Sequence, residues 1–431
     1  MLFDRDHTAG RRRVRPLLAV GFALFLVAQS VSPAAAAVGD LDDTFDGNGK
    51  LHLNLSAGSD HVRDVVIQPG DQKIVGVGRM DPGQPQFAIV RWNPDGSLDA
   101  SFGGGDGRVA TNFGAGEDSA TAVALQADGK IVAVGEAPGS GGQFAIARYN
   151  VDGSSDATFS GDGRTTTNFT SGYDFAWDVA IQPADQKIVV AGRSAGADPR
   201  FAVVRYNTNG LLDGTFSADG KTTVNLTAGE DNATGLALQA DGKIVLAGYA
   251  SGSGGQFGVA RLRTNGTLDP GFSGDGRLIK NLTKAEDFAW DVAIQPDQKI
   301  VLAGRSGSGA GSLAALRYNP DGTPDTSFSG DGNVAVNVTS YDDRADALAL
   351  QADGKLVVAG TADGEFFVAA RLTSAGAVDS SFAHDGVAVV NLSSGADFGL
   401  AVAIQADGGV VVGGQASGSG GRVALIRLLG G

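Results

Sequence analysis

The sequence predicts an all-β protein, a seven-bladed β-propeller with four antiparallel strands in each blade. The first observation is a phenylalanine that returns within the same residue pattern at intervals of 57, 57, 57, 56, 56 and 54 residues. The second is that each interval contains four short strand patterns separated by turn residues, with no helical periodicity. A linear β-solenoid usually has shorter repeats, and separate sandwich domains would need distinct linkers. The repeated residues are Phe45, Phe102, Phe159, Phe216, Phe272, Phe328 and Phe382.

One repeat shows the four strands in order. After Phe159, a glycine-containing turn leads into a first, threonine-rich strand at 164–169. A half-buried strand with alternating apolar and polar residues follows at 177–182. An apolar run at 187–192 and a fourth strand at 201–206 complete the repeat. The composition agrees, because 66 glycines supply tight turns throughout the chain.

The phase of the repeat predicts how the ring closes. A lone strand at 50–55 precedes the first complete set, and three strands at the end finish at 422–428. We expect the N-terminal strand to complete the last blade, a one-plus-three closure that also protects sheet edges. The inner strands of the blades are predicted to end at Gln68, Gln126, Gln182, Gln239, Gln295, Gln351 and Gln405.

Residues 1–37 are predicted to be a secretory signal peptide, followed by a single propeller at 38–431. Arginines at 11–15 form a basic region, an apolar run spans 17–27, and alanines at 34–37 offer a cleavage site. The adjacent arginines are compatible with twin-arginine export, but the rest of the twin-arginine motif is poor. Sec export is therefore expected. The expected location is therefore outside the cell, and the absence of cysteine means that stability cannot depend on disulfides.

The charge excludes several partner classes. The full chain has a formal charge of -15, and losing the five basic and two acidic residues of the leader makes it about -18. Nucleic acid and anionic membranes are poor partners for such a chain, and no second apolar stretch reaches membrane length. We expect a monomer without membrane insertion.

Three polar positions are shared by all seven repeats and are interpreted as structural. Repeated carboxylates can accept loop N–H groups, and a repeated arginine can pair with a carboxylate between strands. The first aspartate precedes the inner-strand glutamine: Asp60, Asp118, Asp174, Asp231, Asp287, Asp343 and Asp397. The arginine ends the third strand: Arg91, Arg148, Arg205, Arg261, Arg317, Arg371 and Arg427. The second aspartate lies three residues before the phenylalanine: Asp42, Asp99, Asp156, Asp213, Asp269, Asp325 and Asp379.

The repeat resembles a known family. Its segments L-D-x-x-F-x-x-D-G and V-A-I-Q-x-D-G-K-I-V-x-A-G are similar to the delta-60 repeat, a bacterial family assigned to β-propellers of unknown function. The resemblance covers essentially all of the chain after the leader. It implies a propeller fold and carries over no catalytic residues.

A calcium site is the alternative interpretation of some shared residues. Calcium prefers carboxylate and carbonyl oxygens as ligands. Such carboxylates are close together among glycines at Asp95, Asp99 and Asp106. However, the spacing departs from the EF-hand loop, and no glutamate closes the site. The same residues form an ordinary β-turn pattern. No cofactor is expected, with calcium as the open alternative.

A ligand is expected where the repeats differ. The variable position lies five residues before each inner-strand glutamine: Arg63, Thr121, Trp177, Thr234, Trp290, Asp346 and Leu400. Such positions border the channel mouth of a propeller, and aromatic residues there stack on sugars or attract cations. The candidate ligand-binding residues are Tyr173, Phe175, Trp177, Phe288, Trp290, Tyr341, Arg63 and Asp346. The alternative is that the tryptophans pack between blades.

The inventory of catalytic groups is thin, so the protein is not expected to be an enzyme. The chain after the leader has three imidazoles, His52, His61 and His384, and no nucleophile elbow or zinc-protease motif. Carboxylate pairs suited to glycosidase chemistry are abundant but mostly repeated in every blade. We predict a secreted binding module for a protein or carbohydrate ligand. The alternatives are a cell-envelope structural protein, a calcium-binding propeller and a glycan-active enzyme.

Overall fold

The computed structural model describes residues 36–431 except 139–141, 253, 308 and 419. The predicted signal peptide lies outside the described residues apart from its last two. No helix in the described ranges is long and apolar enough to cross a membrane.

The described chain forms seven four-stranded antiparallel sheets, which confirms the predicted seven-bladed propeller. Blades are numbered 1 to 7 by the order of their inner strands. The inner strands are His61–Ile67, Ser119–Leu125, Phe175–Ile181, Asp231–Leu238, Asp287–Ile294, Arg344–Leu350 and Phe398–Ile404. The second strands are Ile74–Met80, Ile131–Ala137, Ile188–Ser194, Ile244–Ala250, Ile300–Ser306, Leu356–Ala362 and Val410–Ala416. The third strands are Gln86–Trp92, Gln143–Tyr149, Arg200–Tyr206, Gln256–Leu262, Ser312–Tyr318, Phe366–Leu372 and Arg422–Leu428.

The outer strands of blades 1 to 6 are short and follow the third strand of the same repeat. They are Arg108–Thr111, Arg164–Thr167, Lys221–Val224, Arg277–Lys280, Asn333–Val336 and Val387–Val390. The outer strand of blade 7 is Lys50–Leu53, which pairs antiparallel with Arg422–Leu428. The first strand of the propeller therefore completes the last sheet, as the one-plus-three closure predicts.

The core lies between neighbouring blades. The second strands are almost continuously apolar and buried, because blades cover both faces of each sheet. Phe102 is fully buried in the cluster that joins Val77 of blade 1 to Ile131 of blade 2, and every repeat phenylalanine is equally buried. The side chain of the repeated phenylalanine therefore helps to hold adjacent sheets together.

The repeated arginine and second aspartate extend this contact. Arg91 donates from Nε to Asp99 at 2.6 Å, and its guanidinium carbon lies 4.4 Å from the centroid of the Phe102 ring. It also donates to the carbonyl of Val151 in the next repeat, 2.5 Å away. In blade 7, Arg427 pairs instead with Asp42 from the N-terminal segment. These residues are thus occupied by blade construction.

The first repeated aspartate organises the loop before each inner strand. Asp60 accepts the backbone N–H groups of Leu55 and Ser56, both at 2.7 Å, and that of Asp81 at 3.2 Å. Its side chain is fully buried. Each such carboxylate satisfies N–H groups that the loop would otherwise leave unpaired.

Candidate functional site: the channel cavity

Each inner strand contains a β-bulge at the position where the repeats differ. In blade 3, Ala176 pairs with Gly192 and Asp178 pairs with Ala191, which leaves Trp177 outside the ladder. The same register shift occurs in the other six blades. A bulge re-aims the extra side chain, and here it directs one side chain from every blade into the central channel.

These seven side chains converge on one cavity of about 300 Å³. Its lining consists of the variable residues of the seven blades together with one further arginine of blade 6. They are Arg63, Thr121, Trp177, Thr234, Trp290, Arg344, Asp346 and Leu400. The structure thus brings together all seven variable positions, including the predicted candidates Arg63, Trp177, Trp290 and Asp346.

Six aromatic rings form a continuous row that includes both tryptophans of the cavity lining. The row, here called the aromatic row, runs through Tyr173, Phe175, Trp177, Trp290, Phe288 and Tyr249. The centroids of Phe175 and Trp177 are 4.4 Å apart, and those of Trp177 and Trp290 are 6.3 Å apart. Both indoles are half-buried and line the cavity. Their exposed surface is available for stacking.

The charged side of the cavity is formed by blades 1 and 6. The guanidinium carbon of Arg63 lies 5.3 Å from the centroid of the Trp177 ring. Arg344 donates from Nε to Asp346 at 2.9 Å. Burial raises the pKa of Asp346 to about 6, although Arg344 and Arg63 both favour its charged form. Burial also lowers the pKa of Arg63, which Asp346 opposes.

Threonines occupy the variable position of blades 2 and 4, the two blades that flank blade 3 and its Trp177. The hydroxyl of Thr121 donates to the carbonyl of Ala176, and that of Thr234 donates to the carbonyl of Ala289, both at 2.9 Å. Each bond crosses to the next blade. Because the hydroxyl protons are used in these bonds, each threonine oxygen can act toward a ligand only as an acceptor.

Three carboxylates follow the bulge in alternate blades. Asp64, Asp178 and Asp291 accept backbone N–H groups of the next blade, from Val123 at 2.9 Å, Leu236 at 2.6 Å and Leu348 at 2.8 Å. Burial raises the pKa of all three aspartates, to about 7 for Asp64 and about 6 for Asp291. Repulsion from the other two carboxylates raises the pKa of Asp178 further.

Blades 1, 3 and 5 share further features that the other four blades lack. At the rim, the second strand of each of these three blades carries an arginine paired with an acidic residue of the next blade. These pairs are Arg79–Glu117 at 3.5 Å, Arg193–Glu230 at 2.8 Å and Arg305–Asp342 at 2.5 Å. On the opposite face, a glutamine of each of the three blades accepts a backbone N–H of the preceding blade: Gln72, Gln186 and Gln298.

The ring is therefore built from three two-blade units and a seventh blade. Blade 7 has Ala401 and Gln415 where blades 1, 3 and 5 have an aspartate and an arginine. Blade 6 has Ala347 and Thr361 at the same positions. Two blades of one type are consequently adjacent, and the cavity departs from symmetry beside this junction, at Arg344, Asp346 and Leu400.

Other predicted residues lie farther from the cavity. Tyr173 is at the rim, where its hydroxyl donates to Glu136, and Phe175 and Phe288 belong to the aromatic row. Tyr341 is 63% exposed and lies outside the cavity lining. His52, His61 and His384, the imidazoles in the described part of the chain, do not line the cavity. His384 lies 3.3 Å from Asp40.

The proposed calcium ligands have protein partners. Asp95 accepts from Ser97, Asp99 from Arg91, and Asp106 from Arg108. Within the described ranges, no group of three His, Cys, Asp or Glu side chains is placed to hold a metal ion.

Sequence reasoning missed Arg344, Tyr249 and the three aspartates that follow the bulge, Asp64, Asp178 and Asp291. Arg344 lies two residues before a variable position and pairs within its own strand. Tyr249 pairs across the ladder with Asn232, at a position that varies among the repeats. The signal for the aspartates was their occurrence in the first, third and fifth repeats only.

Comparison with known proteins supports the fold and the repeat. Six segments, 70–102, 126–159, 184–216, 239–272, 295–328 and 351–382, match the model of a domain of unknown function (DUF5122) beta-propeller. The chain therefore carries the repeats of a β-propeller repeat family. No curated protein matches it.

Several solved structures are similar. A streptogramin B lyase has a TM-score of 0.53 at 10% identity, covering 88% of this chain and 97% of the lyase. YCF48 bound to a D1 peptide has a TM-score of 0.47 at 12% identity, covering 93% and 100%. A gluconolactonase from Xanthomonas campestris has a TM-score of 0.39 at 15% identity, covering 76% and 95%. At these identities the likeness concerns the fold alone.

Proposed function

We propose that the protein is a binding module that takes a sugar unit of a glycan into the channel cavity. The observation that carries this proposal is the convergence of all seven variable residues on one cavity. Shared residues are occupied in holding blades together, whereas these residues differ from blade to blade. Variation concentrated in one concave site is what recognition of an asymmetric ligand requires.

The lining suits a carbohydrate. Trp177 and Trp290 offer indole surface on which the C–H face of a pyranose stacks. Thr121, Thr234 and Asp346 supply oxygen acceptors for ligand hydroxyls. The volume of about 300 Å³ is at the lower end of small-molecule sites, which favours one sugar unit over a long segment.

Binding without catalysis is favoured by the carboxylates. Asp346 is the one carboxylate among the residues that line the cavity, and it is held by Arg344. Glycoside hydrolysis ordinarily uses two carboxylates flanking the scissile bond. A glycan-active enzyme would need a second acid in the site.

We further propose that the protein is exported and belongs among the delta-60 repeat proteins. The basic and apolar segments before residue 38 support export, and the repeated segments quoted above support the family. N-terminal sequencing of the protein from the growth medium would test export. A start near residue 38 is expected, and an intact leader on a cell-bound protein would contradict it.

A glycan array tests the binding function directly. Wild-type protein should bind a subset of glycans, and Trp177→Ala and Trp290→Ala should each lose roughly tenfold or more in affinity, because an aromatic platform in a binding site contributes about 1.4 kcal/mol or more. Tyr341→Ala is the matched control, since this tyrosine is exposed and lies outside the cavity. Binding that survives both tryptophan changes would refute the proposed site.

A further inference from the structure

We propose that the sugar unit bound in the channel cavity is an acidic one, a hexuronate whose carboxylate pairs with Arg63. This inference rests on the proposed function and specifies the ligand class. It begins from a contrast of charge: the whole chain is at -15, yet the cavity lining carries two guanidinium groups and a single carboxylate.

Arg63 is the residue that binds the carboxylate of the hexuronate in this proposal. Within the described part of the chain, its guanidinium makes no hydrogen bond or ion pair, and its central carbon lies over the Trp177 ring. The N–H donors of this cavity-lining side chain are therefore not used by any described residue. A planar guanidinium can bind a carboxylate through two parallel hydrogen bonds.

Arg344 and Asp346 complete the charge pattern. Arg344 uses its Nε on Asp346, while its terminal nitrogens make no hydrogen bond within the described ranges. The two guanidinium groups of the lining, Arg63 and Arg344, therefore share a single carboxylate of the lining, Asp346, which leaves one positive charge of the lining in excess. An anionic group entering beside Arg63 would balance the site.

The remaining lining favours a uronate over the carboxyl end of a peptide. The acceptor oxygens of Thr121, Thr234 and Asp346 are spread around the cavity and match a ring that carries several hydroxyl donors. Trp177 and Trp290 contribute indole surface to the lining, against which a pyranose ring can pack. A carboxylate attached to a hydroxyl-rich ring uses all three features together.

Tryptophan fluorescence can report the binding. The chain has three tryptophans, of which Trp177 and Trp290 line the cavity and Trp92 is buried in the core of blade 1. A panel of galacturonate, glucuronate and mannuronate oligomers would be titrated alongside their methyl esters, which keep the ring and lose the charge. A short peptide with a free carboxyl end and its amide form a separate arm.

The expected result is binding of at least one uronate, with its ester bound roughly tenfold or more weakly, because a charge-assisted hydrogen bond contributes about 1.5–3 kcal/mol. Arg63→Met keeps the stem over Trp177 and should lose a similar factor for the acid with little change for the ester. Arg200→Met, at an exposed arginine that begins the third strand of blade 3, is the control and should bind normally.

Several results would overturn the inference. Equal affinity for acid and ester, or indifference to Arg63→Met, would leave a glycan site without acid recognition. Binding of the free peptide but of no uronate would replace the sugar by a peptide end. The proposed function itself would fail if no glycan changed the tryptophan fluorescence of the wild-type protein and if Trp177→Ala did not weaken glycan binding on the array.

Discussion

Asp64, Asp178 and Asp291, the three aspartates that follow the bulge, should make the stability of the propeller fall as the pH rises toward neutrality, and Asp64 is the clearest case. Its carboxylate accepts the N–H groups of Val65 at 2.8 Å and Val123 at 2.9 Å, which joins blade 1 to blade 2. Burial raises its pKa from 3.8 to about 7. We therefore expect Asp64→Asn to change the pH dependence of unfolding, because the amide does not titrate.

The sign follows from the direction of the shift. A folded-state pKa above the unfolded value means that the stabilising contribution is complete below about pH 4 and is lost as the pH rises through about 7. Raising the pKa of Asp64 from 3.8 to about 7 corresponds to a free energy of roughly 4 kcal/mol. The asparagine oxygen can accept one of the two N–H groups, and losing the other costs about 1 kcal/mol. The variant should therefore be less stable by about 1 kcal/mol below about pH 4 and more stable by about 3 kcal/mol near pH 8.

Urea unfolding of both proteins at about pH 4 and about pH 8 measures this crossing. Asp152→Asn is the control, because Asp152 is an exposed turn residue whose pKa is lowered by its hydrogen bonds to Ser154. It should gain nothing at the higher pH. A uniform loss of stability in Asp64→Asn at both pH values would refute the reasoning, since it would mean that the carboxylate is not strained by burial.

Two further predictions concern the architecture. Phe216→Ala should lower the free energy of unfolding by about 3–5 kcal/mol, because this fully buried ring joins blades 3 and 4, whereas Val389→Ala on an exposed edge should change it by less than about 0.5 kcal/mol in chemical denaturation. A chain that begins at residue 56 lacks the outer strand of blade 7, so its melting temperature should fall below that of a chain beginning at residue 36; equal melting temperatures would contradict the closure.

The fold was predictable because the seven copies of the repeat can be aligned with one another. The interval between Phe159 and Phe216 contains all four strands of a blade, and the unequal first and last copies indicate the closure. Hydrophobic periodicity and turn residues are local signals, so seven copies of them leave little ambiguity.

The site was predictable only in part. Comparing the copies showed that Trp177 and Trp290 occupy a variable position of the repeat. However, a bulge is a property of backbone pairing that no residue type indicates. The sequence therefore placed the seven variable positions at the channel mouth but did not indicate that their side chains meet in one cavity. Nor did it reveal that the guanidinium of Arg63 lies over the ring of Trp177, since the two residues are in different blades.

The alternation of blades is the other feature that emerged from the structure. Asp64 and its counterparts are easily read as solvent-facing residues of a half-buried strand. Their role becomes visible only once the next blade is in place to donate an N–H group. Long-range pairing of this kind depends on ring closure and therefore lies beyond local pattern.

The most direct test of the central claim is a crystal structure of the protein with the oligosaccharide that binds most tightly on the array. We expect a sugar ring inside the channel cavity, stacked on Trp177 or Trp290, with its carboxylate on Arg63. A sugar bound only on the outer strands or loops, with the cavity empty, would contradict it.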